Sequence, residues 1–140
     1  MEITIVETDK QKNDAYYVRN TVFVQEQNVP PELEIDDLEA EATHFVGYVD
    51  DQPIAAGRLR LVDDYGKLER ICVLKEYRGL AYGQKLISAM EAHIQTSGYP
   101  KVKLNAQTHA ENFYKFIGYE TVSDQFMDAG IPHVTMIKQL

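Results

Sequence analysis

The sequence predicts an α/β domain in which helices flank a mixed β-sheet. Between Thr43 and Leu74, apolar and polar residues alternate in three short runs separated by turn-forming residues, as β-strands do. From Leu80 to Thr96, apolar residues instead recur at helical spacing, and a further strand and a short helix follow. No repeat, low-complexity tract or linker interrupts the 140 residues, so we expect a single domain over residues 1–140.

The N-terminal part is predicted to form a strand and then a helix. Glu2–Glu7 alternates apolar and polar residues, which is typical of a half-buried strand. Apolar and aromatic residues fall at helical spacing over Lys10–Gln25, and Pro30 and Pro31 end this region because proline interrupts a helix. The acidic stretch Glu32–Glu41 is predicted to be a loop or a short helix.

Three strands follow in quick succession along the middle of the chain. They are predicted over Thr43–Val49, Ile54–Val62 and Lys67–Leu74. The connections Asp50–Pro53 and Asp63–Gly66 are rich in Asp, Pro and Gly, which favour tight turns. Short turns between consecutive strands indicate an antiparallel meander.

The second half alternates helices and strands. An amphipathic helix is predicted over Leu80–Thr96, because its apolar residues recur on one face. A strand over Lys101–Gln107 and a short helix over Ala110–Ile117 come next. Two last strands are predicted over Tyr119–Met127 and His133–Gln139, which completes a mixed sheet flanked by helices.

The charge balance argues against a general nucleic-acid binder. The chain carries 22 acidic against 14 basic residues and a net charge of −8, whereas phosphate backbones require a basic face. The N-terminus lacks the pattern of a signal peptide, and no apolar run has the ~20 residues of a membrane span. We therefore expect a cytoplasmic protein without membrane or nucleic-acid partners.

The cysteine and histidine content indicates neither a disulfide nor a metal site. Cys72 is the only cysteine, and its place in a predicted strand favours a buried thiol over a nucleophile. The histidines show no ligand spacing, so no metal is predicted. They are His44, His93, His109 and His133.

The acids cluster between Pro31 and Asp51, in a stretch without lysine or arginine. They are Glu32, Glu34, Asp36, Asp37, Glu39, Glu41, Asp50 and Asp51. Together these eight equal the whole net charge of the chain, −8. Such a run is typical of a solvated loop and strand edge. Alternatively, its field attracts a cationic substrate.

The stretch Val73–Gly83 has the composition of an anion site. A strand ends, a loop with the sequence VLKEYRGLAYG follows, and a helix begins at once. Free backbone N–H groups at such a helix start can bind phosphate, and Gly79 and Gly83 allow close approach. Arg78 adds a positive charge. From the residues alone, an anion site and a plain turn both remain open.

A resemblance to a known family decides between these alternatives. The segment Val73–Gly83 resembles the pyrophosphate loop of the GNAT N-acetyltransferases, and Ala110–Tyr119 (AENFYKFIGY) resembles their second signature, A-x-N-F-Y-x-x-x-G-F. One helix and one strand separate the two segments, as in that family. A finer likeness to the small bacterial ElaA/YjcF-like members rests on Val22–Gln27, Ala106-Gln107 and Gly130–Val134.

The resemblance implies the GNAT acyl-CoA N-acyltransferase fold, with a mostly antiparallel sheet that splays at the cofactor site. It also implies acetyl-CoA as cosubstrate, bound by residues of the strand, the loop and the second signature. These residues are Ile71, Cys72, Val73, Arg78, Gly79, Leu80, Ala81, Tyr82, Gly83, Gln84, Asn105, Asn112 and Tyr114. Loop N–H groups are expected to hold the pyrophosphate. Asn112 and the end of the strand are expected to bind the pantetheine arm. Ala81 replaces a family glycine and adds a methyl group there.

The resemblance also implies roles in catalysis. Tyr114 is expected to be the general acid that protonates the leaving coenzyme A thiolate. Two candidates remain for the general base. Glu69 would share a strand face with Ile71 and Val73 by the two-residue period, and His133 is of a residue type that titrates near neutral pH. His44 and Glu34 are weaker alternatives.

Taken together, the resemblance predicts direct transfer of an acetyl group to the primary amine of a small, cationic acceptor. A homodimer is expected by resemblance alone. Because of Ala81, a non-catalytic acyl-CoA-binding module with the same fold remains an alternative. Transfer of a longer acyl chain is a further alternative.

Overall fold

The computed structural model describes residues 1–140 and contains eight strands in one open sheet. The strands are β1 (Glu2–Ile5), β2 (Thr43–Val49), β3 (Gln52–Val62), β4 (Tyr65–Val73), β5 (Lys101–Gln107), β6 (Glu120–Thr121), β7 (Phe126–Asp128) and β8 (Ile131–Gln139). The α-helices are α1 (Asp9–Arg19), α2 (Pro31–Glu34), α3 (Tyr82–Thr96) and α4 (Glu111–Phe116). None of the helices combines the length and apolar character that a membrane crossing requires.

The sheet is antiparallel except at one pair of strands. Its order is β1-β2-β3-β4-β5-β8-β6, and β7 pairs with β8 as well. Only β4 and β5 run parallel, because α3 connects them by a crossover over one face of the sheet. The mixed, mostly antiparallel sheet flanked by helices confirms the predicted fold class.

The parallel pair separates half-way along its length. β4 and β5 are paired only from Tyr65 and Lys101 to Leu68 and Leu104. Beyond these residues, β4 continues to Val73 beside β3, and β5 continues beside β8. The two strands therefore diverge and leave a V-shaped opening in the sheet, as the resemblance predicts.

A β-bulge in β4 changes which residues share a face. Arg58 of β3 pairs with Glu69, whereas Ala56 pairs with Cys72, so β4 contains one extra residue between these pairs. Arg70 lies at this bulge, and its backbone is left-handed, with a φ of 57°. Glu69 consequently lies on the face of Cys72. The prediction that it shares a face with Ile71 and Val73 is wrong, because the two-residue period holds only without a bulge.

The two faces of the sheet are covered differently. α3 packs so closely on one face that a Cβ atom at Gly57 would lie 2.7 Å from Met90 Sδ. On the other face, Arg58 is buried beneath the segment that joins α2 to β2. Since neighbouring residues of a strand point to opposite faces, Gly57 and Arg58 mark the apolar and the charged sides of the same strand.

Most predicted elements are confirmed, and the two clear differences have local causes. The predicted helix over Lys10–Gln25 is α1 followed by π-helix over Asn20–Glu26, in which Gln27 N–H donates to the Val22 carbonyl at 3.0 Å. The predicted strand Tyr119–Met127 is wrong as one element. It breaks into β6 and β7 because the Ser123 hydroxyl, rather than a backbone carbonyl, accepts from Thr135 N–H at 2.8 Å.

Candidate active site

The opening between β4 and β5 leads into a cleft of about 1120 Å³. It is bounded by the π-helical segment, β4, the start of α3, β5, α4 and the β7–β8 turn. Most predicted site residues line it. They are Glu69, Ile71, Cys72, Val73, Arg78, Gly79, Ala81, Tyr82, Gly83, Gln84, Asn105, Tyr114 and His133.

Two predicted residues lie outside the cleft lining. Asn112 is exposed, and its expected contact with the pantetheine arm is not supported, because residues two apart on a helix point nearly opposite ways. Tyr114 faces the cleft, so Asn112 of the same helix faces away from it. Leu80, in the turn before α3, is 56% exposed and lies outside the cleft lining.

The start of α3 forms the anion-binding end of the cleft. The residue before the helix, Ala81, has φ 65° and ψ 16°, and no side chain caps the first turn. The first N–H groups of α3 are therefore free of a side-chain partner and carry the positive end of the helix dipole. A Cβ atom at Gly79 would have no neighbour within 4 Å, so the loop stands open.

Arg78 is held beside this helix start by two partners. Its Nε donates to the Val73 carbonyl at 2.9 Å, and its two terminal nitrogens each lie 2.7 Å from a Glu26 oxygen. The hydrogen bond from Arg78 lowers the pKa of Glu26 against the effect of burial. The predicted pyrophosphate cation is thus paired with a carboxylate in this structure.

Tyr114 presents its hydroxyl to the cleft from α4. The side chain is only 9% exposed and packs edge-on against Phe113 and Tyr119, with ring centroids 5.2 and 5.6 Å away. Its hydroxyl has no hydrogen-bond partner in the chain, and no buried polar side-chain atom is left without one, so the hydroxyl is accessible. Burial, and then the charge of the Cys72 thiolate, raise the pKa of Tyr114 to about 12.

His133 offers a free ring nitrogen to the same cleft. Its Nδ1 lies 2.7 Å from the Ile131 carbonyl, which can only accept, so Nδ1 carries the proton. The ring also stacks on Phe126 at 6.0 Å between centroids. In the neutral ring, Nε2 is therefore an unprotonated acceptor in a fixed orientation.

Glu69 lies in the cleft lining with both oxygens engaged. Arg60 donates to Oε1 at 2.7 Å and to Oε2 at 3.3 Å, and Arg58 Nε donates to Oε1 at 3.2 Å. Burial acts to raise the pKa of Glu69, but the hydrogen bond from Arg60 and the charges of Arg58 and Arg60 outweigh it, so the pKa is lowered. A carboxylate held in this way is a weak proton acceptor.

Comparison with known proteins identifies the family. Residues 7–140 match the family model described as the acetyltransferase (GNAT) domain. The chain belongs to the GNAT acetyltransferase family. It is 50% identical to Bacillus subtilis YjcF, which is named an uncharacterized N-acetyltransferase, over 99% of both chains.

Solved structures agree with this assignment. A crystal structure of Escherichia coli ElaA superposes with a TM-score of 0.84 at 30% identity, over 98% of both chains. A Lactobacillus plantarum protein superposes with a TM-score of 0.93 at 29% identity, over 99% of this chain and 97% of the other. The likeness to YjcF and ElaA confirms the finer resemblance.

The acidic segment of this GNAT chain does not form an exposed negative surface over the cleft. Arg19 and Arg58, both 1% exposed, hold Glu34, Asp36 and Glu39 in ion pairs of 2.7–2.8 Å. The acids of this stretch that stay exposed are outside the cleft lining. They are Glu32, Asp37, Glu41, Asp50 and Asp51. The innermost carboxylates are therefore neutralised within the fold, and the attraction of a cationic substrate by this run stays a prediction that rests on its exposed acids alone.

The remaining candidates for chemistry have structural roles. Burial raises the pKa of the Cys72 thiol to about 12, which confirms the predicted buried thiol. His44 lies outside the GNAT cleft, where its Nε2 is 2.9 Å from the Glu39 carbonyl. Glu34 lines the cleft but is 3% exposed and bound to Arg19.

Sequence reasoning missed several cleft residues. Lys67 and Arg70 line the β4 side, and Asp128, the last residue of β7, lines the β7–β8 side. Gln27 and Gln107 join the π-helical segment to β5 by a hydrogen bond of 2.8 Å. The segments that carry these glutamines were part of the family likeness, but no local pattern signals Arg70 or Asp128, because they reach the GNAT cleft through a bulge and a turn.

Proposed function

We propose that the protein transfers an acetyl group from acetyl-CoA to a primary amine of a small molecule. The observation that carries this proposal is the opening between β4 and β5, which starts at Leu68 and Leu104 and leads to the uncapped start of α3. An extended acyl carrier with a phosphate end fits such a groove, because the sheet edge offers backbone groups and the helix start offers N–H donors.

The loop residues fit the phosphate end of the cofactor. Nothing lies within 4 Å of a Cβ atom built on Gly79, and the nearest atom to one on Gly83 is 3.8 Å away, so backbone can approach an anion closely. Arg78 provides the positive charge, for which Glu26 competes. Bound acetyl-CoA would supply an acyl group activated as a thioester.

His133 is our choice for the general base. An amine is mostly protonated at neutral pH and must lose a proton before its nitrogen can form a bond to the acyl carbon. Nε2 of neutral His133 can take that proton, since Nδ1–H is fixed on the Ile131 carbonyl. Glu69, the other candidate, has both oxygens bound by Arg60.

Tyr114 is proposed to assist the departing sulfur when the C–N bond forms and the C–S bond breaks. Its pKa of about 12 lies above the ~8.5 of an ordinary thiol, so complete proton transfer to a thiolate would be uphill. The hydroxyl therefore acts first as a hydrogen-bond donor to the sulfur. The thiolate can then take its final proton from solvent or from the His133 imidazolium.

In this proposal, the reacting amine is the one cationic group that the acceptor needs. Asp128 lines the cleft without an ion pair or a hydrogen bond in the chain and can receive an ammonium group before His133 removes its proton. The internal ion pairs of Glu34 and Glu39 remove the support for a polycationic acceptor.

A non-catalytic acyl-CoA-binding module is the second candidate. The feature that keeps it open is Ala81, which replaces a family glycine at the helix start and marks a departure from the pattern of the active family members. This candidate requires binding without transfer, which separates it from the first.

Calorimetric titration of acetyl-CoA into the protein, followed by thiol release with a panel of amines, tests both candidates. We expect micromolar binding that Arg78→Ala weakens about tenfold, in line with the loss of a charged hydrogen-bond donor. Lys10→Ala is the control, because this 77% exposed lysine lies outside the cleft. Binding without thiol release from any amine would support the module instead, and absence of binding would contradict both.

A further inference from the structure

The carboxylates that line the cleft differ in whether they have a partner. Four of them are bound to arginines, in the pairs Glu26–Arg78, Glu34–Arg19, Asp36–Arg58 and Glu69–Arg60. Asp128 alone has neither an ion pair nor a hydrogen bond within the chain. Free negative charge in the cleft lining is thus confined to the β7–β8 side, where Asp128 lies two residues along β7 from Phe126, the partner of His133.

The β4 side has the opposite character, because Arg70 keeps an unused donor there. Its Nε donates to the Glu34 carbonyl at 3.1 Å and lies 3.3 Å from Glu34 Oε1. Its Nη2 lies 3.2 Å from the Leu33 carbonyl and 3.3 Å from Asp36 Oδ2. Nη1 has no partner in the chain. These contacts fix the guanidinium plane, and the bulge at Arg70 places it in the cleft lining.

Lys67 adds a second cation on the same side. Its Nζ lies 3.7 Å from Glu69 Oε2, which is beyond hydrogen-bond distance, and its side chain is 24% exposed. Glu69 is already bound to Arg60 and Arg58, so it neutralises Lys67 only weakly. Asn105, across the opening on β5, accepts from the Thr135 hydroxyl through Oδ1 and leaves its amide nitrogen without a partner.

We infer that the acceptor carries an anionic group, a carboxylate or a phosphate, which Arg70 and Lys67 bind while Asp128 and His133 receive its amine. This inference rests on the proposed acyl transfer and specifies its substrate class. An amine without an anionic group would leave Nη1 of Arg70 and Nζ of Lys67 without a hydrogen-bond partner in the cleft. A second amine in place of the anionic group would meet two positive charges.

The arrangement of strands also favours a separation between the amine and the anion. β5 lies between β4 and β8, so the strands that carry Arg70 and His133 are two positions apart in the sheet. Two strand spacings amount to about 10 Å, and the splay widens this distance. Because the strand backbones are this far apart, we expect the acceptor to carry several bonds between its amine and its anionic group.

A matched series of acceptors tests this inference. Aminohexanoate, aminohexyl phosphate, aminohexanamide and diaminohexane carry the amine on the same linear chain and differ at the far end. With saturating acetyl-CoA, we expect kcat/KM for an anionic member to exceed that for the amide about 10- to 100-fold, the range of hydrogen bonds to a charged group. Comparison of the carboxylate with the phosphate shows which anion the site prefers.

Variants of the two cations test the assignment of residues. Lys67→Gln and Arg70→Gln should each lower the ratio of kcat/KM for the preferred anion to that for the amide about tenfold, mainly through KM. Arg70→Lys should retain part of the ratio. Lys10→Gln removes an equal charge outside the cleft and should leave the ratio unchanged. If Arg70→Gln does not fold, Lys67→Gln, whose lysine makes no hydrogen bond, carries the test.

The outcomes separate this inference from the function on which it rests. Equal or better turnover of the amide or the diamine would overturn the anion site and leave acyl transfer intact. If the ratio of kcat/KM for the anionic acceptor to that for the amide is unchanged in both Lys67→Gln and Arg70→Gln, the anion site is likewise overturned and acyl transfer is left intact. If acetyl-CoA binds but no amine of the series releases thiol, the acyl-transfer proposal and this inference both fail.

Discussion

Arg78 and Glu26 form a two-pronged ion pair at the edge of the cleft, with both nitrogen–oxygen distances at 2.7 Å. Nε of Arg78 donates to the Val73 carbonyl at 2.9 Å. Every guanidinium nitrogen thus has a partner in this structure, and one N–H group on each terminal nitrogen remains free, beside the open start of α3. The Glu26 carboxylate repels a phosphate that approaches these remaining N–H groups and competes with one that takes both terminal nitrogens, so it reduces the affinity for the cofactor.

Glu26→Gln is therefore expected to tighten acetyl-CoA binding. Both partners are partly exposed, at 39% and 37%, and such pairs contribute only about 0.2–1 kcal/mol, so we expect Kd to fall about two- to fivefold. Titration calorimetry at two salt concentrations measures this change. Glu32→Gln, at an exposed acid outside the cleft, is the control. Weaker binding by Glu26→Gln would show instead that the pair positions Arg78 for the phosphate.

Tyr114→Phe is expected to lower kcat about 10- to 100-fold and to leave the Kd of acetyl-CoA unchanged. The substitution removes only the hydroxyl, which has no partner in the chain and is proposed to contact the leaving sulfur. Tyr119→Phe is the matched control. Its hydroxyl donates to Glu91 at 2.6 Å outside the cleft, so that variant should lose stability but not turnover. An unchanged kcat in Tyr114→Phe would exclude the hydroxyl from the reaction.

The fold was predictable because its signals are local. The strand Thr43–Val49 and the strand Lys101–Gln107 have the predicted bounds, since alternation and turn residues mark them in the sequence itself. The bulge at Arg70 has no such signal. It depends on how β4 pairs with β3, and it moved Glu69 to the other face of the sheet.

The parts of the candidate site that form contiguous motifs were predictable for the same reason. The loop Val73–Gly83 and Tyr114 are contiguous motifs, and both line the cleft. The burial of Glu34 and Glu39 was not predictable from a run of acids, because their partner Arg19 lies 15 and 20 residues away on α1. Long-range pairing turned a stretch that resembled a solvated surface into part of the interior.

Ala81→Gly is expected to increase affinity for acetyl-CoA and to change stability little. Ala81 has φ 65°, a left-handed conformation that strains an alanine by about 1–2 kcal/mol, whereas glycine adopts it freely. The greater freedom of glycine in the unfolded chain offsets about 0.4–1 kcal/mol of this gain. Removal of the methyl group opens the helix start to phosphate.

Calorimetry and urea denaturation of Ala81→Gly measure the two effects separately. Ala129→Gly is the matched control, since Ala129 has a similar φ of 51° in the β7–β8 turn, away from the helix start. It should show the same small change in stability without a change in the Kd of acetyl-CoA. Equal Kd values for Ala81→Gly and the unmodified protein would mean that the alanine methyl group does not obstruct the phosphate.

Glu39→Gln is expected to destabilise the fold by about 3 kcal/mol at neutral pH. Glu39 bridges Arg19 and Arg58 with distances of 2.8 Å to each, and removal of one partner from a buried ion pair leaves uncompensated charge. Urea denaturation gives the free energy of unfolding. Glu41→Gln is the control, because Glu41 is 61% exposed and 3.7 Å from Arg60, and it should lose less than about 0.5 kcal/mol.

Glu39 also makes the free energy of unfolding depend on pH. Burial acts to raise the pKa of Glu39, but hydrogen bonds and charge from Arg19 outweigh it and lower the pKa from 4.5 to about 2. A carboxyl with a lowered pKa in the folded state stabilises it above the unfolded pKa, and this contribution is lost as the pH falls from about 4.5 towards 2. The stability gap between the unmodified protein and Glu39→Gln should therefore narrow over that range. A gap that stays constant from pH 6 to pH 3, roughly the span over which an ordinary carboxyl titrates, would show that Glu39 is not held as the charged partner of Arg19.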